Sequence, residues 1–112
     1  MPTLLPTDDN NNPIPALRLR DGGSHIVAVS STSARNTNAF DAETQIVSLY
    51  ASVAVYVKFG SGSVTATTAD HYFPAGLYYD FAIGGDGQNQ TTHVAVLRAE
   101  ATDGFVYISE KI

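Results

Sequence analysis

From residue 53 the side chains alternate: Val53, Val55, Val57 and Phe59 fall on one side of an extended chain, Ala54, Tyr56 and Lys58 on the other. Successive side chains of a strand point to opposite faces, so this two-residue period predicts a strand with one face in a core. The alternation lies in the most apolar, β-branched stretch of the chain, residues 44–60 (TQIVSLYASVAVYVKFG), where no helical spacing occurs. Fully extended, these 17 residues would span roughly 56–61 Å, too long for one strand of a small domain. The reading is two strands paired with each other and broken near Ala51-Ser52, although no Gly or Asn supports a tight primed turn there.

The same pattern continues on both sides. Residues 25–31 (HIVAVSS) alternate and read as a strand, while residues 31–38 form either a short edge strand around Ala34-Arg35 or a loop. Phe40 is expected to tuck into the core from a connection. Gly60-Ser61-Gly62-Ser63 reads as a turn, followed by a short β-branched strand at residues 64–68 (VTATT). Residues 70–76 read as a loop with a Pro74-x-Gly76 turn, and residues 77–83 (LYYDFAI) as a strand. Residues 84–90 (GGDGQNQ) are a hairpin tip or loop, and residues 92–99 and 105–110 close the domain as a pair. The core expected from this phase is Val27, Val47, Leu49, Val55, Val57, Phe59, Leu77, Tyr79, Phe81, Ile83, Val94, Val96, Val106 and Ile108. Turn residues punctuate the chain every 8 to 15 positions and no helical period is sustained. That predicts an all-β chain: a single antiparallel β-sandwich or jelly-roll-like domain of about seven or eight strands.

The first residues break the pattern. Pro2, Pro6, Pro13 and Pro15 flank a polar run, Asp8 to Asn12, which predicts an extended N-terminal arm over residues 1–23 and a body over residues 24–112. Leu4, Leu5, Ile14, Leu17 and Leu19 are apolar groups that a merely solubilising tail would not need, and they are candidate partner-binding anchors. The alternative is that Leu17-Arg18-Leu19-Arg20 is the domain's own first strand. Asp21-Gly22-Gly23 is then expected to make a turn.

Composition narrows the function classes. The 112 residues suffice for one core. Charged residues are 15% of the chain, below the usual quarter, so its polar surface comes largely from uncharged groups that are easily desolvated on docking. Net charge is −5 with six Lys and Arg spread along the chain, which leaves no basic face for nucleic acid. Without cysteine there are no disulfides or thiolate metal sites. The Met1 end lacks the basic and apolar regions of a secretory leader, and no run approaches the roughly 18 apolar residues of a membrane span. Neither a membrane nor a nucleic-acid partner is expected.

Candidate chemistry is sparse. His25, His71 and His93 are scattered without the short spacings of zinc ligands, and no Gly-x-Ser-x-Gly elbow is present. Asp70-His71 are adjacent in a loop, which does not give triad geometry. Asp86, or Asp8-Asp9 with the following asparagines, offers calcium-type oxygens without the twelve-residue loop and closing Glu of an EF-hand. Asn89-Gln90-Thr91 matches a glycosylation sequon and reads as a chance match in a polar loop. No catalytic residue, cofactor or metal is therefore expected. Of the six tyrosines, Tyr56 and Tyr78 lie opposite the cleaner apolar sets and are the candidates for an exposed partner-binding surface.

Several stretches carry a resemblance: Ser30 to Arg35, Tyr56 to Gly60 with Ser63 to Asp70, Pro74-Ala75-Gly76, and Thr92 to Ala95 before a last strand. In layout and turn sequence they resemble small all-β virion structural proteins of tailed bacteriophages and prophages, over about residues 24–109. The resemblance implies a non-enzymatic capsid decoration (cement) protein on the virion surface, made in the bacterial host cytoplasm. It would bind the major capsid protein and form a homo-oligomer, with a trimer favoured. The alternatives are a tail, head–tail joining or host-attachment module, or a carbohydrate-binding β-sandwich using the tyrosines.

Overall fold

The structure, a computed structural model, describes residues 5–13, 16–84 and 89–112. Among these residues there is no helix, and eight strands form two antiparallel sheets of four. The strands are β1 (Leu19–Val29), β2 (Ala34–Arg35), β3 (Ile46–Ala51), β4 (Val55–Gly60), β5 (His71–Phe73), β6 (Tyr78–Ala82), β7 (His93–Arg98) and β8 (Gly104–Lys111). One sheet has the order β1-β8-β3-β6, the other β2-β7-β4-β5. The pairs β1–β8, β2–β7, β3–β6 and β4–β5 describe one long hairpin that turns between β4 and β5. Wrapped into two layers, it gains the further pairs β3–β8 and β4–β7. This is a jelly roll, the second of the two all-β architectures that the turn spacing allowed.

Residues 44–60 split as expected but do not pair with each other. Two hydrogen bonds tie Ser52 to β8: its N–H donates to Phe105 O at 2.9 Å, and its side-chain Oγ accepts from Phe105 N–H at 2.9 Å. Two residues later Ala54 O accepts from Ala99 N at the end of β7. Residues 52–54 therefore cross from one sheet to the other, which an untwisted two-residue hairpin lacking Gly or Asn could not have replaced. Residues 99–103 cross likewise, so β7 and β8, expected as a closing pair, lie in opposite sheets.

The core is built by register. On one inner face Val27 opposes Val106, and Ile108 opposes Leu49; on the other Val57 opposes Val96. Val47, Leu49, Val55, Val94, Val96, Val106 and Ile108 are completely buried, each contributing about 1.5–3 kcal/mol relative to exposure. Phe40 joins them, as expected. Val29, Ala51, Phe73 and Ile83 complete the cluster, and Phe59 and Phe81 are only partly buried against it.

Five local readings are corrected. Asp21-Gly22-Gly23 is not a turn: β1 starts at Leu19 and carries a bulge between Leu19 and Ser24, with Gly22 left-handed at φ 77°. Arg18 and Ile112 exchange backbone hydrogen bonds at 3.1 and 2.8 Å, so the pairing of β1 with β8 begins one residue earlier still. Residues 64–68 are not a strand; Ala66 is buried and its N–H donates to Ser33 Oγ at 2.8 Å, a side-chain partner in place of a ladder. The loop expected at residues 70–76 contains β5, because His71 and Phe73 pair with Val57 and Val55. Leu77 and Tyr79, expected in the core, are exposed.

The described part of the arm turns back on itself. Asp8 Oδ1 accepts from the N–H groups of Asn10 and Asn12 at 2.8 and 2.9 Å, Asn11 is left-handed at φ 63°, and Thr7 bridges Pro13. Asp and Asn make such turns because a short side chain can replace a backbone acceptor.

Candidate interaction surface

The outer face of the β1-β8-β3-β6 sheet follows from the core register, since neighbours across an antiparallel pair share a face. Ile26 opposes Tyr107, Tyr107 opposes Tyr50, and Tyr50 opposes Tyr78. One row of large apolar side chains thus crosses all four strands, and every member is exposed, from 37% at Tyr50 to 62% at Ile26. Phe105, opposite Ala28, extends it by one step. The rings touch one another: Tyr50 and Tyr107 lie 6.3 Å apart at 40°, and Phe105 and Tyr107 lie 6.4 Å apart at 40°.

The next row is small and polar, Ser24, Ser109, Ser48 and Asp80. Tyr78 Oη and Ser48 Oγ share a 2.6 Å hydrogen bond, which buries Ser48 and pins the ring down against the sheet. Lys111 Nζ bonds Asp80 Oδ1 at 2.8 Å and stands 5.1 Å from the Tyr78 ring centre. The bond to Asp80 holds the Lys111 ammonium above its ordinary pKa, so the face carries a matched ion pair at its margin. At its centre it carries no charge.

A second apolar surface lies at the side of the sandwich where β5 and β6 are the edges. β5 has three residues and β6 has five, so the shorter strand leaves part of the inner face of β6 uncovered. This is why Tyr79 is exposed although it stands opposite the buried Leu49. Phe81 fills the gap, with ring centres of Tyr79, Phe59 and Phe73 at 5.1, 5.4 and 5.9 Å. Gly76, left-handed at φ 78°, donates to Ala51 O at 2.8 Å and turns the chain so that Leu77 sits on the rim. The result is a groove of about 330 Å³ walled by Tyr72, Pro74, Leu77 and Tyr79.

One titratable cluster is buried. Glu110, 1% exposed, accepts from Thr44 Oγ1 at 2.6 Å and from Asp41 N at 2.8 Å; its other oxygen lies 2.8 Å from His25 Nε2. Arg20 Nη1 stands 3.7 Å from that second oxygen. Burial pushes the carboxyl up, but the hydrogen bonds from Thr44, His25 and Asp41 together outweigh it and hold Glu110 below the usual carboxylate range. Both Thr44 and His25 are spent on the carboxylate, so the hydroxyl has no imidazole base beside it, and the cluster ties β1, the residue 41–44 segment and β8 together.

The other ionisable groups singled out in the sequence are dispersed. Asp70 Oδ2 accepts from Thr67 N at 2.6 Å, holding a turn, not orienting His71. His93 is buried, and its Nδ1 bonds Thr92 Oγ1 at 2.8 Å; burial lowers its pKa. Among the described residues no group of three or more His, Asp or Glu side chains gathers as metal ligands.

Of the seven candidate partner-binding residues, Leu4 and Ile14 lie outside the described residues, as does Asp86. Leu5 and Leu19 are exposed and Leu17 is half-buried. Tyr78 ends the aromatic row, whereas half-buried Tyr56 stands on the other sheet beside Tyr72, with ring centres 6.0 Å apart. The two tyrosines do not form one surface. Ile26, Tyr50, Phe105 and Tyr107 were missed, although each lies in the non-core phase of its strand, the signal that did single out Tyr78. Compared with known proteins, the chain matches no family model, no curated protein and no solved structure.

Proposed function

We propose that this chain is a structural contact protein of a tailed-phage virion, a decoration protein that docks on the assembled shell and works by contact without catalysis. The observation that carries the reading is the exposed row Ile26–Tyr107–Tyr50–Tyr78 with its uncharged centre. Aromatic side chains bury about 150–250 Å² each and are enriched at the centres of protein interfaces, where charge is depleted. A ligand that binds the assembled shell in preference to its free subunits stabilises the shell by mass action. The jelly-roll order supports the setting by analogy alone, since viral capsid proteins and lectins both use it.

The test is co-sedimentation with empty shells assembled from the capsid protein of the same virion. The chain should bind, and Tyr50→Ser/Tyr107→Ser should bind at least tenfold more weakly, about 1.4 kcal/mol, while melting within a few degrees of the parent. Failure to bind shells, with retention on tails or on a glycan array, would replace this reading by the corresponding alternative.

A further inference from the structure

We infer that the free edge of β1 pairs with the same edge of a second copy of this chain, antiparallel about a two-fold axis at Ile26. The inference does not rest on the shell reading, because it concerns only copies of the chain itself.

β1 is an edge strand, and its pairing with β8 shows which backbone groups it leaves free. Ser52 N–H bonds Phe105 O, so Phe105 turns its backbone toward β3. Orientation alternates along a strand, so Gly104, Val106 and Ile108 turn theirs toward β1, onto Val29, Val27 and His25. The N–H and C=O groups of Ser24, Ile26 and Ala28 therefore point out from the sheet, and among the described residues no strand stands beside them. Neither flanking segment folds back along this edge. Arg18 continues the ladder by exchanging hydrogen bonds with Ile112, and Ser30 O accepts from Arg98 N–H in the other sheet.

This edge lacks the usual defences. Free edges are commonly blocked by charge, proline or a bulge. β1 carries its bulge, Arg20 and Asp21 ahead of Ser24, and residues 24–29 (SHIVAV) contain no Lys, Arg, Asp, Glu or Pro. His25 turns inward to Glu110. The opposite edge is finished differently: Asp80, in the middle of β6, holds Lys111, whose ammonium stands over the Tyr78 ring. The aromatic row is most exposed at its two ends, 62% at Ile26 and 54% at Tyr78, because an edge strand has a neighbour on one side only. The Tyr78 end is held by Ser48 and Lys111, whereas the Ile26 end has no such partner among the described residues.

Register selects a second copy as the added strand. An axis at Ile26 sets Ile26 against itself and Ser24 against Ala28, so each free N–H faces a free C=O. An axis at Ser24 would set Ile26 against Gly22, in the left-handed bulge, and one at Ala28 would set Ser24 against Thr32, past the end of the strand. Only the Ile26 axis stays within the regular part of the edge. No like charges oppose one another there. The row from Tyr78 through Tyr50 and Tyr107 to Ile26 then runs on into the row of the other copy. Such an isologous contact is complete at two copies, which makes a dimer in place of the trimer that the resemblance implies. A strand pairing buries little area, so the dimer should dissociate on dilution.

Sedimentation velocity of the full-length chain between about 1 μM and about 1 mM should show a monomer–dimer equilibrium. Ile26→Lys and Ile26→Glu each set like charges together at the axis and should each weaken the dimer at least tenfold. Melting temperatures within a few degrees of the parent, measured where all three are monomeric, would show that the body is intact. An equimolar mixture of the two variants should restore a mixed dimer, which a merely damaged fold would not do. The chain has no cysteine, so Ile26→Cys reports without background. It should oxidise to a linked dimer at least tenfold faster than Leu77→Cys, an exposed site beside the far edge. A monomer at every concentration, a trimer, a dimer indifferent to Ile26→Lys, a Lys/Glu mixture that stays monomeric, or equal cross-linking of the two cysteine variants would each overturn the inference.

Discussion

His25 Nε2 lies 2.8 Å from Glu110 Oε2, joining the middle of β1 to the end of β8 beneath the segment that carries Phe40. The His25 and Phe40 rings meet edge to face at 5.2 Å, so the polar contact is roofed by an aromatic one. Glu110 takes donors from three separate parts of the chain, and the bulge in β1 makes room for it: a Cβ on Gly23 would stand 2.9 Å from Glu110 Cβ.

Glu110→Ala should therefore be among the most damaging polar substitutions. It leaves the Thr44 hydroxyl, the Asp41 N–H and the His25 ring without their common acceptor, which for a buried network costs about 3–5 kcal/mol. Urea denaturation would read this as a lower midpoint at unchanged slope. A loss below about 1 kcal/mol would mean that water replaces the carboxylate at no great cost.

The same carboxyl makes stability depend on acid. Its pKa is lower in the fold than the ordinary value of about 4.3, so the unfolded chain takes up the proton first as pH falls. The contribution of Glu110 is complete above the unfolded value and disappears as pH drops through the folded one. The urea midpoint should fall between about pH 5 and pH 3, and in Glu110→Gln that fall should be shallower.

Two glycines should respond for different reasons. A Cβ at Gly104 would stand 2.6 Å from Ser52 Oγ and 2.8 Å from Val53 Cγ1, at the point where the chain crosses between sheets. Gly104→Ala should cost about 1–3 kcal/mol by overpacking. At Gly22 nothing stands within 4 Å, but φ is +77°, and Gly22→Ala should cost about 1–2 kcal/mol from the backbone alone. Combining each with Ser52→Ala, whose own cost from the lost Phe105 N–H acceptor is measured alone, separates them in thermal melts: the losses should add at Gly22 and be less than additive at Gly104, where Val53 still crowds the Cβ.

Leu49 and Leu77 were both expected in the core, and their different burial can be measured directly. Leu49 is completely buried and Leu77 is 44% exposed. Leu49→Ala should lower stability by about 2–5 kcal/mol. Leu77→Ala should stay within about 0.5 kcal/mol as a surface change. Equal losses in chemical denaturation would return Leu77 to the core.

Much of the body was legible along the chain. A period of two needs only neighbouring residues, so Val55, Val57, Val94, Val96, Val106 and Ile108 could be assigned to an inner face without knowing what covered them. Leu77 and Tyr79 have the same period and are exposed, because burial also requires an opposing strand, and β5 is too short to supply one. His71 to Phe73 carries no alternation long enough to announce a strand; pairing with β4 makes it one. Asp21-Gly22-Gly23 has turn composition, yet the β8 ladder on either side holds it as a bulge.

The sequence by itself determined the all-β class, the two-faced strands and most of the inner set, since these depend on residue type and short spacing. Only the tertiary structure decided which strands share a sheet. The crossing at Ser52 parts β3 from β4, and the register then sets Ile26, Tyr107, Tyr50 and Tyr78, drawn from four distant stretches, in one row. The same holds for the Glu110 cluster and the β5–β6 groove. The cluster joins residues tens of positions apart, the groove parts the neighbouring strands β5 and β6 into different sheets, and strand order and register, set by the burial of the whole core at once, decide what meets.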